Sequence, residues 1–252
     1  MCSTVEGGCH DGGVDPSTQP DRPSIGRDGG ALGSAGADVR SRALRHRLDR
    51  PFFAREVITV ARDLLGRVLV AHTLDGDVGV RLTEVEAYAG RDDPASHAFR
   101  GPTARNAVMF GPAGHLYTYF VYGMHWCANI VTGPEGDASA VLLRAGEVVL
   151  GQDIALDRRP AVTRTSLLAR GPAGLATVLG LRRDASGADL CGAADRWQVV
   201  EGQPVRADRI ASGPRVGVAA APERPLRFWD TASPSVSVYR AGGRVRRRVP
   251  GG

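Results

Sequence analysis

The chain has 252 residues and 42% hydrophobic content, enough for one large domain with an ordinary core, and no apolar run is long enough to span a bilayer. All 32 basic side chains are arginines and the net charge is +5; with no lysine, imine chemistry through a side-chain amine is excluded. Met1 to Arg22 lacks the basic start and apolar core of a secretory signal, so a soluble cytoplasmic protein is expected.

Residues 1–45 are rich in Gly, Asp, Ser and Pro without apolar periodicity and read as a disordered tail. Residues 1–39 carry six acids against Arg22 and Arg27, a net of −4, which leaves +9 for the rest of a chain whose total is +5. A coding bias toward arginine explains the choice of cation but not this excess. A domain so basic fits a polyanion, nucleic acid before a neutral partner, and arginine can grip phosphate with paired hydrogen bonds. Cys2, Cys9, Cys127 and Cys191 form no CxxC pair, so incidental thiols in a reducing compartment are expected, with no metal and no cofactor.

The domain is expected over residues 46–240. Val57, Val60, Ala61 and Leu64 recur at helical spacing within Phe53–Leu65, and Gly66 supplies a stop. Arg67–Val70 reads as a strand, Asp75-Gly76 as a hairpin turn, and Val78–Tyr88 as a longer strand. A polar loop, Gly90–Pro112, precedes a hairpin over His115–Val131 that turns near Tyr122-Gly123-Met124. Val141–Ala145 is a further strand, and Pro172–Leu179 a helix with proline in its first turn and Gly180 after it. Val216–Val218, Leu226–Phe228 and Val236–Val238 complete the strands, and residues 241–252 form a short basic tail with the run Arg244-Val245-Arg246-Arg247-Arg248. Strands dominate without a βαβ rhythm, so the expected fold is a single compact α+β domain with an antiparallel-rich curved sheet, a protruding β-hairpin and scattered helices.

Four of the five tyrosines and both asparagines fall in the window that opens with the paired glutamates, Glu84 to Asn129. On the 78–88 strand, Val80, Leu82, Glu84, Glu86 and Tyr88 share a face, and the two glutamate Cα atoms lie roughly 6.6–6.8 Å apart. If that face is buried, an acid beside an aromatic wall is a functional candidate, Glu86 above Glu84; if the strand is a solvated edge, both are ordinary. His97 is either a pocket residue or a packed loop histidine, and Tyr117 and Tyr119 share a face that is either a pocket wall or sheet core. Tyr122 at a hairpin tip is harder to read as core and could wedge between base pairs. Asn129 could read a base edge or bond to backbone, and Arg144, mid-strand among apolar residues, needs a carboxylate partner such as Glu86. Together these residues hold the parts of a base-flipping enzyme: aromatic walls, a wedge, a water-activating carboxylate and basic flanks.

As strings, the same segments resemble the 3-methyladenine (alkyladenine) DNA glycosylase family, distinct from its helix-hairpin-helix counterparts. They run in order from Ala61-Arg62-Asp63-Leu64-Leu65-Gly66 through Thr83-Glu84-Val85-Glu86-Ala87-Tyr88, Ser96-His97 and Arg105-Asn106-Ala107-Val108-Met109-Phe110. Tyr117-Thr118-Tyr119-Phe120-Val121-Tyr122-Gly123-Met124, Val141-Leu142-Leu143-Arg144-Ala145, Ala169-Arg170-Gly171-Pro172, Pro214-Arg215-Val216-Gly217-Val218 and Pro225-Leu226-Arg227-Phe228 follow. The resemblance implies a metal-free, monomeric enzyme that removes damaged purines from double-stranded DNA and leaves an abasic site. Glu86 matches the acid that activates water, Arg144 an arginine that helps hold the water, and Val216 a backbone carbonyl near it. Tyr88 would stack on one face of the flipped base and His97 and Tyr119 on the other, with Tyr122 filling the vacated stack and Asn129 screening against normal guanine. Two positions depart from the family: Ala173-Gly174 follows Gly-Pro where a basic residue is common, and Pro102 replaces a frequently basic position.

Two other classes compete with this reading. Carboxylates at that separation suit an inverting glycosidase, although side chains two apart on one strand cannot easily flank a bond. A non-catalytic module could use Tyr117, Tyr119 and Tyr122 merely to stack bases.

Overall fold

The computed structural model describes residues 46–192 and 196–243; the expected tail over 1–45 and the basic run at Arg244–Arg248 lie outside them. Eight strands form one sheet in which every pairing is antiparallel. They are β1 (Val68–Thr73), β2 (Gly76–Tyr88), β3 (Leu116–Val121), β4 (His125–Thr132), β5 (Ser139–Leu150), β6 (Trp197–Val200), β7 (Ile210–Gly213) and β8 (Arg227–Asp230). The order is β3-β4-β5-β2-β1-β6, with β8 on β2 and β7 on β8. The expected α+β class, dominated by antiparallel strands, is what the chain adopts.

The long strand β2 organises the sheet. Its first half, Gly76–Arg81, pairs with β1, while Glu84–Glu86 pairs with β8 on the edge that β1 has vacated. Its other edge follows β5 from Gly79 to Tyr88, with register shifts around Glu84. Such bulges bend a strand and re-aim its side chains. Thr83, Glu84, Val85, Glu86 and Ala87 are all fully buried, so the second half of β2 is covered on both faces and its glutamates sit in the interior.

Among the described residues four α-helices pack around this sheet: α1 (Arg50–Phe53), α2 (Val57–Leu64), α3 (Gln152–Arg158) and α4 (Pro172–Val178). The helix expected over Phe53–Leu65 starts four residues later, at Val57, and the short α1 precedes it, each with its own capping acid. Asp49 accepts from the Phe52 amide to start α1, and Glu56 accepts from the Ile58 and Thr59 amides to start α2. Val57, Val60, Ala61 and Leu64 turn inward as their spacing requires. They join Leu69, Val80, Leu82, Leu143, Leu175 and Val178 in the main core. Among the described residues no helix is long and apolar enough to cross a membrane.

Three expectations need correction. Thr73 pairs with Gly76, so the first hairpin turns at Leu74-Asp75, one residue before the expected Asp75-Gly76. Val216–Val218 is a turn and Val236–Val238 is irregular; neither is a strand. The amides of Val216 and Ser237 are spent on the carboxylates of Glu86 and Glu84, not on a ladder. Strands β6 and β7 and helices α1 and α3 were not expected; each spans only four to seven residues, too short for its periodicity to stand out.

Candidate active site

The second half of β2 delivers Glu84, Glu86 and Tyr88 to a buried ionic centre. Arg144, on the adjacent β5, lies between the two acids. Its Nε donates to Glu84 Oε1 at 3.1 Å and sits 3.4 Å from Glu86 Oε1, and Nη2 reaches Ser237 Oγ at 3.3 Å. The structure therefore rejects the solvated-edge alternative, because both carboxylates are 0% exposed. It also gives Arg144 both glutamates as partners, not Glu86 alone. Burial disfavours the Arg144 charge, but Glu86 and Glu84 more than offset it and raise its pKa.

The two acids are held differently. Glu84 accepts from the Ser237 amide (2.7 Å) and hydroxyl (2.9 Å) and has Arg227 Nη1 at 3.6 Å. Glu86 accepts from the Val216 amide at 2.7 Å on Oε1 and from the Tyr88 hydroxyl at 3.0 Å on Oε2. The contact of Val216 with the acid is thus made by its N–H. Burial raises the pKa of Glu86, against the opposing pull of Arg144 and the two hydrogen bonds. The Tyr88 hydroxyl is pushed well up by burial and then by the neighbouring Glu86 charge, so it stays protonated and donates.

Beside this centre lies a pocket of about 340 Å³, counting its open mouth, lined by Tyr88, Ser96, His97, Tyr117, Tyr119 and Asn129 with Ala95 and Met109. Glu86 is not in the wall; its link to the pocket is the Tyr88 hydroxyl. Alternation along β3 turns Tyr117 and Tyr119 to this side, with ring centroids 5.8 Å apart in a stacked arrangement. His97 packs edge-on against Tyr119 at 4.6 Å, and its Nδ1 is 3.1 Å from the Tyr117 hydroxyl. Burial, and then the Arg105 charge, lower the pKa of His97. The loop that carries it is held by Asn106, whose Nδ2 donates to the carbonyls of His97 and Gly101. Asn129 on β4 is buried and donates from Nδ2 to the Tyr117 carbonyl at 3.1 Å.

Tyr122 stands apart from the pocket, at the tip of the β3–β4 hairpin. It is 86% exposed and holds φ at 53°, left-handed backbone that costs a tyrosine about 1–2 kcal/mol. A large aromatic ring kept outside under strain needs a reason beyond packing.

Glu86, Arg144, Val216 and Tyr88 meet around one carboxylate, His97, Tyr119 and Asn129 line the adjoining pocket, and Tyr122 lies beyond it. Of the two readings open for Tyr117, pocket wall and sheet core, the structure supports the wall; sequence reasoning passed over Ser237 and Arg227 as clamps on Glu84, and the buried pair Arg215–Asp93. Arg215 falls in the matching segment Pro214–Val218, but nothing in the sequence says that it is buried or what it pairs with. Asp93 lies in a polar loop where acids are ordinary. The glycosidase alternative fails on geometry: both glutamates face the same guanidinium and cannot flank a scissile bond.

A family model described as Methylpurine-DNA glycosylase (MPG) matches residues 51–234. A Streptomyces avermitilis protein named "Putative 3-methyladenine DNA glycosylase" is 53% identical over 204 residues, covering 80% of this chain and 96% of its own length. Proteins of the same name from Nocardia farcinica and Methanocella arvoryzae are 52% identical over 192 residues and 44% over 193. They cover 74% and 75% of this chain, and 89% and 95% of their own lengths. A family model matched over most of the chain, together with relatives 44% to 53% identical, shows that the chain belongs to the methylpurine-DNA glycosylase family.

Proposed function

We propose that this methylpurine-DNA glycosylase flips alkylated or deaminated purines of the 3-methyladenine, 7-methylguanine and hypoxanthine class out of duplex DNA. It then hydrolyses the N-glycosidic bond, acting as a monomer through residues 46–240. The observation that carries the reading is Glu86, fully buried yet ion-paired with Arg144 and hydrogen-bonded by the Val216 amide and the Tyr88 hydroxyl beside an aromatic pocket. A module that only binds DNA has no use for a buried carboxylate that would repel phosphate.

Alkylation at N3 or N7 makes a purine cationic, which weakens the glycosidic bond and favours electron-rich rings on either side. Tyr88 supplies one such face, and Tyr119 with His97 the other. The lowered pKa of His97 keeps its imidazole neutral near pH 7, so it adds no charge against a cationic base. An ionised carboxylate offers about four acceptor positions, so Glu86 keeps capacity for a water after its present contacts. It would deprotonate that water for attack on C1′, and its charge would stabilise the oxocarbenium-like sugar. Arg144 favours the ionised form that this role needs. Asn129 would exclude the 2-amino group of normal guanine, and Tyr122 would fill the vacated stack. With no lysine in the chain, hydrolysis leaves an abasic site and no imine.

Alkali treatment of duplexes carrying a single lesion tests the reading. Wild type nicks them in a lesion-dependent way, while Glu86→Gln binds them and releases no base. Wild type that binds duplex but frees no base from any of the three lesions refutes the proposal.

A further inference from the structure

Arg215 is 1% exposed and sits behind the pocket. Its guanidinium carbon lies 4.5 Å from the centre of the Tyr88 ring. Tyr88 lines the pocket and Arg215 does not, so the cation lies against a part of the ring turned away from the base site. Nη1 donates to the Ala87 carbonyl at 3.0 Å, and both terminal nitrogens grip Asp93, Nη2 at 2.9 Å. Asp93 also accepts from the amides of Ala89 (3.3 Å) and Ala95 (3.1 Å), which ties it to the loop that bears His97. The residue after Arg215 is Val216, whose amide holds Glu86. One buried ion pair therefore joins the β2 end, the His97 loop and the turn that touches the acid.

We propose that the Arg215–Asp93 pair determines specificity: Arg215 positions Tyr88 and Val216, and Asp93 neutralises it so that a cationic purine can stack on Tyr88. This rests on the glycosylase reading above. A bare cation behind an aromatic ring competes with a cationic base in front of it for the same electron density. Their direct repulsion in a desolvated site adds to that effect. A neutral base such as hypoxanthine feels neither. The paired carboxylate removes the conflict while leaving the guanidinium free to fix the ring and the turn.

Single-turnover kcat/KM on duplexes with 7-methylguanine or hypoxanthine tests this in wild type, Asp93→Asn, Arg215→Gln and Arg215→Lys. In Asp93→Asn the ratio of cationic to neutral substrate falls, on the order of tenfold. In Arg215→Gln the uncompensated Asp93 carboxylate moves the ratio the other way, although both rates drop as the turn loosens. Arg215→Lys keeps the wild-type ratio at a reduced rate. A purely structural pair moves no ratio, so equal losses on both lesions, or ratios that shift in the same direction in Asp93→Asn and Arg215→Gln, overturn the proposal. If Asp93→Asn does not fold, the sign of the Arg215→Gln shift decides alone. Wild type inactive on both lesions refutes the glycosylase reading instead.

Discussion

Replacing Arg144 by methionine keeps most of its volume and deletes the cation between two fully buried carboxylates. Unit charges 3.4 Å apart, the distance from Arg144 Nε to Glu86 Oε1, attract by about 5 kcal/mol at an effective dielectric of about 20. Among the described residues, Arg227, 3.6 Å from Glu84, is then the one cation left within salt-bridge reach of either acid. Breaking a buried pair from one side typically costs about 3–5 kcal/mol, against a total stability of about 5–15 kcal/mol. The urea midpoint should therefore fall sharply without abolishing the fold.

The sign of the pH effect follows from Glu86. Burial raises its native pKa, with Arg144 the strongest opposing influence, so deleting Arg144 raises it further. A carboxyl whose native pKa is raised favours the folded state most below its unfolded pKa, and that contribution is lost as pH rises through the native value. The variant should thus regain stability relative to wild type on acidification. Excision behaves oppositely, because the proposed base must be ionised. The acid limb of the pH–rate profile moves to higher pH, with a loss on the order of 100-fold near pH 6 that shrinks at alkaline pH. Stopped single-turnover excision from pH 5 to 9, beside urea melts at each pH, reads both effects. A folded Arg144→Met protein whose loss is the same at every pH would refute the assignment of Arg144 as the group that keeps Glu86 ionised.

Tyr122→Gly relieves left-handed backbone strain at an exposed tip, so its unfolding free energy should stay within about 1 kcal/mol of wild type while lesion excision falls; a large loss of stability in a urea melt contradicts this. Asn129→Ala should cost about 1 kcal/mol for the lost bond to the Tyr117 carbonyl and should release undamaged guanine faster, measured as free base from lesion-free duplex. His97 should titrate below the ordinary histidine value near 6.5 because of burial and Arg105, and Arg105→Gln should move it up, read from its ring proton by NMR. A depressed native pKa also means that His97 draws stability away as pH falls below its unfolded pKa. Gly146→Ala should destabilise by about 1–3 kcal/mol without touching the pocket, because a Cβ there would lie 2.3 Å from Val80 Cγ1 and 2.5 Å from the Arg81 carbonyl oxygen.

Local physics made much of this protein readable from its sequence. Val57, Val60, Ala61 and Leu64 could bury one face only as a helix, and Tyr117 and Tyr119 had to share a face on any strand. The position of Glu86 two residues before Tyr88 already implied an acid next to an aromatic ring, and the hydroxyl now found on its carboxylate follows from that spacing. The failures have a common cause. Val216 and Ser237 look like strand residues by composition, but their amides answer carboxylates more than 100 residues away in the chain. Whether Glu84 and Glu86 were solvated or interior turned on β8 replacing β1 along the same edge of β2, a pairing between segments about 140 residues apart that no local pattern encodes. Arg215 lies in a matching segment, but its burial and pairing appear only once Asp93 and the Tyr88 ring close around it. The sequence alone thus determined which residues could carry the chemistry, because propensity and period act between near neighbours. Which of them became buried, paired and shifted in pKa was decided by tertiary structure, because desolvation and Coulomb interactions depend on distance in space.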